Sequence, residues 1–293
     1  MKLTINMRIA LAAGEKLDEE EFANFLLDLG DGKIAHVSGP GCGEYAISLP
    51  DSFILPGNDL CNLVDWVYPH LHENLQNPHW LCERSILCPT NAEVDTVNHY
   101  VTEKFPGDRH DYFSTDSLAA DDNSFEIPVE YLNTLCPSGM PPHRISLKIG
   151  MIIMLLRNFD QIHGHCNGSR YIVRQLLLHL VVAELVSGVH AGRQLLIPRI
   201  SISPSEKIFP FTMIRRQFPI RPCFAMTVNK SQGQSLHRVG VYTVKDFFSH
   251  GQFYVTASRV GSARQLKILA VDAKDTSKRS VMNNVVYTEV LTT

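Results

Sequence analysis

The sequence predicts an α/β fold in which a smaller all-β module interrupts a parallel sheet. Strand–turn–helix units on both sides of the middle are the building blocks of parallel α/β sheets. The middle itself, from about residue 145 to residue 200, holds evenly spaced short strands without helices. The 293 residues, 44% hydrophobic and 19% charged, are sufficient for about two globular domains and argue against disorder.

The first predicted helix covers about residues 18–29. Phe22, Leu26 and Leu29 lie on one apolar stripe with helical spacing, and a glycine follows the last of them. The connection over residues 30–43 is rich in glycine, so we predict a hinge or linker there.

A second helix is predicted over residues 59–71, and a short buried strand over Arg84–Cys88. Thr90 then stands three residues before Glu93, which is the spacing of a capping box at the start of a helix. Residues 105–142 contain turn-forming residues throughout and are predicted to be mostly irregular.

The later elements follow the same reasoning. The predicted strands of the middle are Met151–Leu156, Tyr171–Leu178, Leu180–Val186 and Gln194–Ile200. The α/β pattern then returns with strands Cys223–Val228, Val239–Val244 and Leu266–Val271 and a helix over Gly251–Val260.

The most informative segment is FAMTVNKSQGQSL, residues 224–236. Polar side chains follow a buried strand there, at the end where open α/β sheets bind ligands. Hydroxyls, an amide and the amine of Lys230 can donate to phosphate oxygens, and Gly233 permits close backbone approach. The residues alone leave open a surface loop with a chance polar cluster.

Arginine-bearing segments give two further hypotheses. Arg259 could contact a phosphoryl group as a finger, or it could cover apolar surface with its stem. In the stretch over residues 199–238, arginines including Arg215 and Arg216 alternate with phenylalanines, as in surfaces that bind single strands. The alternative is that the phenylalanines form core and only the cations face outward.

Charge divides the chain in two. Residues 1–130 hold 7 Lys/Arg and 23 Asp/Glu, a net of −16, and residues 131–293 hold 20 and 7, a net of +13. A basic second half suggests an anionic partner such as nucleic acid, although the two halves could instead attract each other.

Several function classes lack support. The seven cysteines include no C-x-x-C pair, which fits a reducing compartment, and no apolar run reaches membrane-spanning length. His163, His165 and Cys166 lack an evident fourth ligand, so no metal site is predicted. The motifs of hydrolase triads, zincins, dinucleotide-binding proteins and P-loops (G-x-x-x-x-G-K-S/T) do not occur.

The sequence strongly resembles the C-terminal half of a PIF-type, superfamily-one, ATP-dependent DNA helicase of the Helitron-transposon-like branch. The resemblance covers nearly the whole chain in family order. The clearest matching stretches are LTINMR (3–8), ILCPTNAEVDTVN (86–98), SGMPPHRISLKIGMIIMLLRN (138–158), RRQFPIRPCFAMTVNKSQGQSL (215–236) and SHGQFYVTASRV (249–260).

The resemblance implies a second RecA-like motor domain interrupted by a small β-barrel. Residues 1–48 would be the tail of the first RecA-like domain and a linker. Residues 49–125 and 214–293, the latter with a C-terminal tail, would form the second RecA-like domain around a barrel inserted at 126–213.

The resemblance also implies roles for individual residues. Arg8 and Arg259 would reach the γ-phosphate of ATP, and Gln232 and Gly233 would lie near the nucleotide. The residues expected to hold single-stranded DNA are Thr90, Asn91, Thr227, Asn229, Lys230 and Ser231.

The resemblance therefore implies a monomeric, nuclear, 5′-to-3′ helicase that acts in DNA repair, recombination and telomere maintenance. ATP and Mg²⁺ would be cofactors of the intact parent, whose N-terminal motor domain carries the P-loop and the Mg²⁺-binding acidic motif missing here. We expect this chain to be inactive alone. The alternative is a non-catalytic nucleic-acid-binding or interaction remnant.

Overall fold

The structure is a computed structural model that describes residues 16–39, 43–57, 59–75, 77–119, 127–204, 208–271, 280–287 and 289. Its helices are α1 (Lys16–Asp31), α2 (Leu60–Val67), α3 (Pro78–Cys82), α4 (Asn91–Lys104), α5 (Val129–Thr134) and α6 (Gln252–Ala257). Short 3-10 turns occupy Asp51–Phe53, Val228–Ser231 and Ala263–Gln265.

The strands are β1 (Ala46–Ser48), β2 (Arg84–Cys88), β3 (His110–Phe113), β4 (Thr115–Leu118), β5 (Arg144–Leu147), β6 (Ile152–Leu155), β7 (Arg170–Leu176), β8 (Leu180–Leu185), β9 (Gln194–Pro198), β10 (Ile200–Ile202), β11 (Met213–Gln217), β12 (Ile220–Pro222), β13 (Ala225–Thr227), β14 (Arg238–Thr243), β15 (Leu266–Ala270) and β16 (Val281–Asn283).

The chain divides into two compact units. The first unit takes its described residues from 1–71, 83–99 and 224–293, and the second takes them from 72–82 and 100–223. No helix in the described part of the chain is both long and apolar enough to cross a membrane.

The first unit is built on a four-stranded, all-parallel sheet in the order β13-β2-β14-β15. All five residues of β2 are buried, as expected for a strand covered on both faces. Helix α2 packs directly on β14, because a Cβ added at Gly240 would lie 2.6 Å from Val67 and 2.9 Å from Leu63. The predicted α/β fold with a parallel sheet is confirmed.

Helix α1 belongs to the same unit. Phe22, Leu26 and Leu29 are buried, as the apolar stripe predicts. The helix continues to Asp31, past the predicted stop, and a Cβ at Gly30 would lie 3.1 Å from the Tyr254 ring of α6. Gly30 thus lets helix α1 approach that ring closely.

The second unit consists of antiparallel strands. A five-stranded sheet has the order β12-β6-β7-β8-β9, a three-stranded sheet has the order β10-β11-β4, and β3 pairs with β5. Among the strands that the structure describes no sheet closes on itself, because β12 and β9 are the edges of the largest sheet. The predicted β module is present, but the closed β-barrel expected from the family resemblance is not confirmed.

The segment predicted to be mostly irregular contains three elements that the sequence did not predict, β3, β4 and α5. Its other described residues are irregular, as predicted. The two strands are polar, and each buries a single residue, Tyr112 in β3 and Asp116 in β4. Sequence periodicity missed β4 because an acidic residue occupies its inward-facing position.

Candidate nucleic-acid and nucleotide site

The predicted site residues of the first unit follow neighbouring parallel strands. Thr227 at the end of β13 pairs with Cys88 at the end of β2, and β14 runs parallel beside β2. Since carboxyl ends of parallel strands share one edge, Thr90, Asn229 and Val244 begin adjacent loops there. This carboxyl edge is the candidate site.

Glu93 joins two of these loops. Its Oε2 accepts hydrogen bonds from the Thr90 N–H at 2.9 Å and the Thr90 hydroxyl at 2.8 Å. Its Oε1 accepts from the N–H groups of Val244 at 2.7 Å and Lys245 at 3.0 Å. The carboxylate is 6% exposed, so this buried charge stabilises the edge through four donors.

The predicted capping box is confirmed. The Glu93 N–H donates to the Thr90 hydroxyl at 3.4 Å, and the Glu93 side chain accepts from the Thr90 backbone. The Thr90 hydroxyl therefore already caps helix α4, whereas the neighbouring Asn91 is exposed. Asn91 is the better placed of the two for contact with a ligand.

Sequence reasoning missed Asn98, which positions β13. Its Oδ1 accepts from the N–H groups of Phe224 and Ala225, both at 2.9 Å, and its Nδ2 donates to the Ala225 carbonyl at 3.0 Å. A polar residue directly after Val97, on the apolar face of α4, was the available signal. Asn98 fixes the strand that leads into the site loop.

Some of the predicted DNA-binding side chains in the loop after β13 are exposed to solvent. Asn229 and Lys230 are exposed, and Thr227 is half-buried. Ser231 is fully buried, and its hydroxyl donates to the Val228 carbonyl at 2.7 Å. In this conformation Ser231 shapes the turn, and Asn229 and Lys230 are the predicted residues exposed at the surface.

Gln232 and Gly233 continue this loop at the surface. Gly233 has φ +80°, a conformation that favours glycine, and a Cβ there would meet nothing within 4 Å. The space around this backbone is open, as close approach of a nucleotide would require.

Arg259 is held by its own unit. Its Nε donates to the Val255 carbonyl at 2.7 Å, and its Nη1 donates to the carbonyls of Ser231 at 3.2 Å and Gln234 at 3.1 Å. Its Nη2 donates to the Ser258 hydroxyl at 2.8 Å. Arg259 is 7% exposed, so its guanidinium ties α6 to the site loop, and contact with a phosphate would require an exchange of these bonds.

Arg8, the other predicted arginine of the nucleotide site, lies outside the residues that the structure describes.

The hypothesis that Arg215 faces a nucleic acid is wrong. Arg215 is fully buried, and its Nη2 lies 2.6 Å from a carboxylate oxygen of Asp116. Its Nη1 donates to the carbonyls of Leu135 and Pro141. Since Phe218 is also buried, this part of the basic stretch contributes to the core of the second unit, whereas Arg216 is exposed.

The histidine-rich turn forms local polar contacts. His163 pairs with Asp160 at 2.5 Å, and Nδ1 of His165 lies 3.0 Å from the Tyr171 hydroxyl. Burial lowers the pKa of His165 and raises the pKa of Tyr171 to about 12. Within the described ranges, no cluster of three His, Cys, Asp or Glu side chains could hold a metal ion.

The first unit has two other features that do not involve the predicted site residues, a buried thiol and a cavity. Burial raises the pKa of the Cys88 thiol well above its ordinary value, so the thiol stays neutral at physiological pH. A cavity of about 550 Å³ is lined by residues that include Phe22, Phe53 and Lys267. It lies beside the start of β15 and contains none of the predicted site residues.

The comparisons with known proteins agree on one family. The family described as DNA helicase Pif1, 2B domain, matches residues 130–176. The ATP-dependent DNA helicase PIF1 of Xenopus laevis is 28% identical over 195 residues, 64% of this chain and 28% of that protein. The ATP-dependent DNA helicase PIF6 of Trypanosoma brucei brucei is 31% identical over 137 residues, 44% of this chain and 16% of that protein.

A solved structure shares the fold. The Pif1 helicase from Candida albicans superposes with a TM-score of 0.56 at 21% identity, covering 94% of this chain and 57% of that one. The chain thus spans much less than the full length of its relatives. By these comparisons, the chain is similar to the C-terminal half of PIF-type DNA helicases.

Proposed function

We propose that this chain is the C-terminal motor half of an ATP-dependent, 5′-to-3′ DNA helicase and that its carboxyl edge holds single-stranded DNA. The observation that carries the proposal is the meeting of Asn91, Asn229 and Lys230 at one edge of the parallel sheet, all exposed. Amide and amine donors on adjacent loops suit successive phosphates of a strand. A nuclear location is part of the proposal.

The nucleotide is proposed to lie near Gln232, Gly233, Arg259 and Arg8. The exposed loop and the open space at Gly233 fit a phosphate-bearing ligand. Bound with Mg²⁺, ATP would supply the phosphoryl transfer whose free energy drives movement along DNA. Arg259 would donate to a phosphate after leaving the carbonyls of Ser231 and Gln234, and the site loop would then lose two of its restraints.

Binding of an oligothymidylate of about 15 nucleotides by the full chain, followed by fluorescence anisotropy, tests the DNA site. We expect Lys230→Ala to weaken binding about fivefold, as loss of one exposed ion pair of about 1 kcal/mol would. The matched control is Lys33→Ala, because Lys33 is an exposed lysine of the same unit paired with Asp31. Equal affinities of the two variants would refute the proposed site.

A second candidate function is nucleic-acid binding without catalysis, favoured by the lack of a P-loop in the 293 residues. DNA-stimulated ATP hydrolysis by this chain tests the second candidate. Binding without turnover is expected of the chain alone under both candidates. Turnover comparable to a complete helicase would eliminate the second candidate.

A further inference from the structure

The second unit carries an exposed sheet face that none of the roles above uses. Along β3 and β4, Tyr112 and Asp116 are buried, and the residues between and beside them, Asp111, Phe113 and Thr115, are exposed. Since side chains of an extended segment alternate, the exposed ones share one side of this segment, which belongs to two sheets, with β3 paired to β5 and β4 paired to β11.

Strand register extends this side across neighbouring strands. Phe113 lies opposite Arg144 of β5, Thr115 lies opposite Arg216 of β11, and Arg216 lies opposite Ser201 of β10. Directly opposite residues point to the same side of a sheet. We call this surface, formed by these five residues, the Phe113 face.

Phe113 lies at the surface among two arginines and a histidine ring. Its side chain is 54% exposed, the Arg144 guanidinium lies 5.9 Å from its ring centroid, and the His143 ring lies 5.6 Å away. Arg199 donates to the Phe113 carbonyl at 2.6 Å. The apolar faces of such a ring stay exposed to water unless a ligand stacks on it.

The charge of the face is positive. Asp111, its acidic neighbour on β3, accepts from Arg144 at 2.8 Å, Arg109 at 2.9 Å and Ser146 at 2.6 Å. Its charge is therefore compensated, with Arg109 also paired to Glu103, and a phosphate on the face would share Arg144 with Asp111. Arg216 is exposed between Thr115 and Ser201, where hydroxyls and a guanidinium can donate to phosphate oxygens.

We propose that the Phe113 face binds single-stranded nucleic acid, with one base stacked on Phe113 and flanking phosphates held by Arg144 and Arg216. Stacking on an aromatic ring is independent of base identity, and cations beside the ring hold the backbone. A protein partner fits less well, because protein interfaces bury an apolar core. On this face Phe113 is apolar, and the other four residues are polar or charged: Thr115, Arg144, Ser201 and Arg216. The choice of a nucleic acid as ligand rests on the proposed function, but the Phe113 face belongs to the second unit, whereas the carboxyl edge belongs to the first.

Anisotropy of the full chain with an oligothymidylate and with an abasic strand of equal length tests the stacking. We expect Phe113→Ala to weaken oligothymidylate binding about tenfold, to leave abasic-strand binding unchanged, and Phe113→Trp to restore affinity. The control is Tyr131→Ala. Tyr131 is half exposed and belongs to helix α5. This helix lies on the side of β11 opposite to the Phe113 face, because the buried side chain of Arg215 donates to the Leu132 carbonyl of the helix.

The outcomes are separable. If Phe113→Ala binds the oligothymidylate as tightly as Tyr131→Ala does, or weakens both strands equally, the stacking proposal is overturned. If Lys230→Ala still weakens binding in that case, the carboxyl-edge site stands. Absence of any binding by the wild-type chain would overturn both. Light-induced cross-linking of 5-iodouracil to Phe113 would support the proposal directly.

Discussion

Glu93 shows how a single buried carboxylate can organise a ligand-binding edge. Four donors surround it, two from Thr90 and one each from Val244 and Lys245. A buried charge is costly unless hydrogen bonds satisfy it, and a buried donor that loses its acceptor is costly as well. The position therefore demands both the charge and the length of glutamate.

We predict that Glu93→Ala lowers the free energy of unfolding by about 3 kcal/mol, because several donors lose their acceptor. Glu93→Gln should cost about half as much, since one oxygen remains. Urea denaturation measures both. The control is the exposed Asp95 of the same helix, whose alanine variant should change stability by less than about 0.5 kcal/mol. Equal effects at the two positions would contradict the role of Glu93.

We expect the burial of His165 to make the free energy of unfolding depend on pH. Burial lowers its pKa in the folded chain below the ordinary 6.5, so between these two pKa values the unfolded chain binds more protons. Stability therefore falls as pH drops through 6.5 toward the folded pKa, and the loss becomes small about one pH unit above 6.5.

His165→Leu should remove that loss. Unfolding free energies measured between about pH 8 and about pH 5 should fall less for this variant than for the wild type. His179→Leu, at an exposed position, serves as the control and should keep the wild-type slope. A His165→Leu slope identical to that of the wild type would show that His165 is not a buried neutral group.

At the scale of elements, Arg259 links the end of α6 to the site loop. Arg259 donates to the carbonyls of Ser231 and Gln234, and its own carbonyl accepts from the Leu236 N–H at 2.9 Å. Movement of Arg259 therefore changes the restraints on the segment that carries Asn229 and Lys230. This is a physical route by which a nucleotide could affect the hold on DNA.

We predict that Arg259→Ala speeds amide hydrogen exchange over residues 232–236 about tenfold, as loss of about 1.4 kcal/mol of local hydrogen bonding would. Affinity for single-stranded DNA should fall with it. Arg264→Ala, at an exposed arginine of the same unit, is the matched control. Exchange that is unchanged in Arg259→Ala would mean that the loop is held by other contacts.

Elements with an apolar face were predictable from the sequence, and elements with a polar face were not. The stripe of α1 and the capping box of α4 each gave a correct element, with ends shifted by a few residues, as helix ends commonly are. Strand β4 was missed because Asp116 occupies its core position. Its partner Arg215 stands 99 residues later in the sequence, so periodicity within a short window could not reveal the pair.

The whole molecule shows why the charge pattern alone could not locate a binding surface. The two structural units interleave in sequence, so the acidic and basic halves of the chain do not correspond to them. Part of the positive charge of the second half is buried, as at Arg170, Arg215 and Arg259. The sequence could predict an anionic partner, but only the fold places Lys230 and Asn91 at the same edge of a sheet and Arg216 opposite Thr115.

The most direct test of the central claim, that the carboxyl edge grips the phosphates of a single strand, is the salt dependence of oligothymidylate binding. The logarithm of the affinity should fall linearly with the logarithm of salt concentration, and Lys230→Ala should make the slope shallower by about 0.7, the value for one phosphate contact on a single strand. An affinity independent of salt, or a Lys230→Ala slope equal to that of the wild type, would contradict the claim.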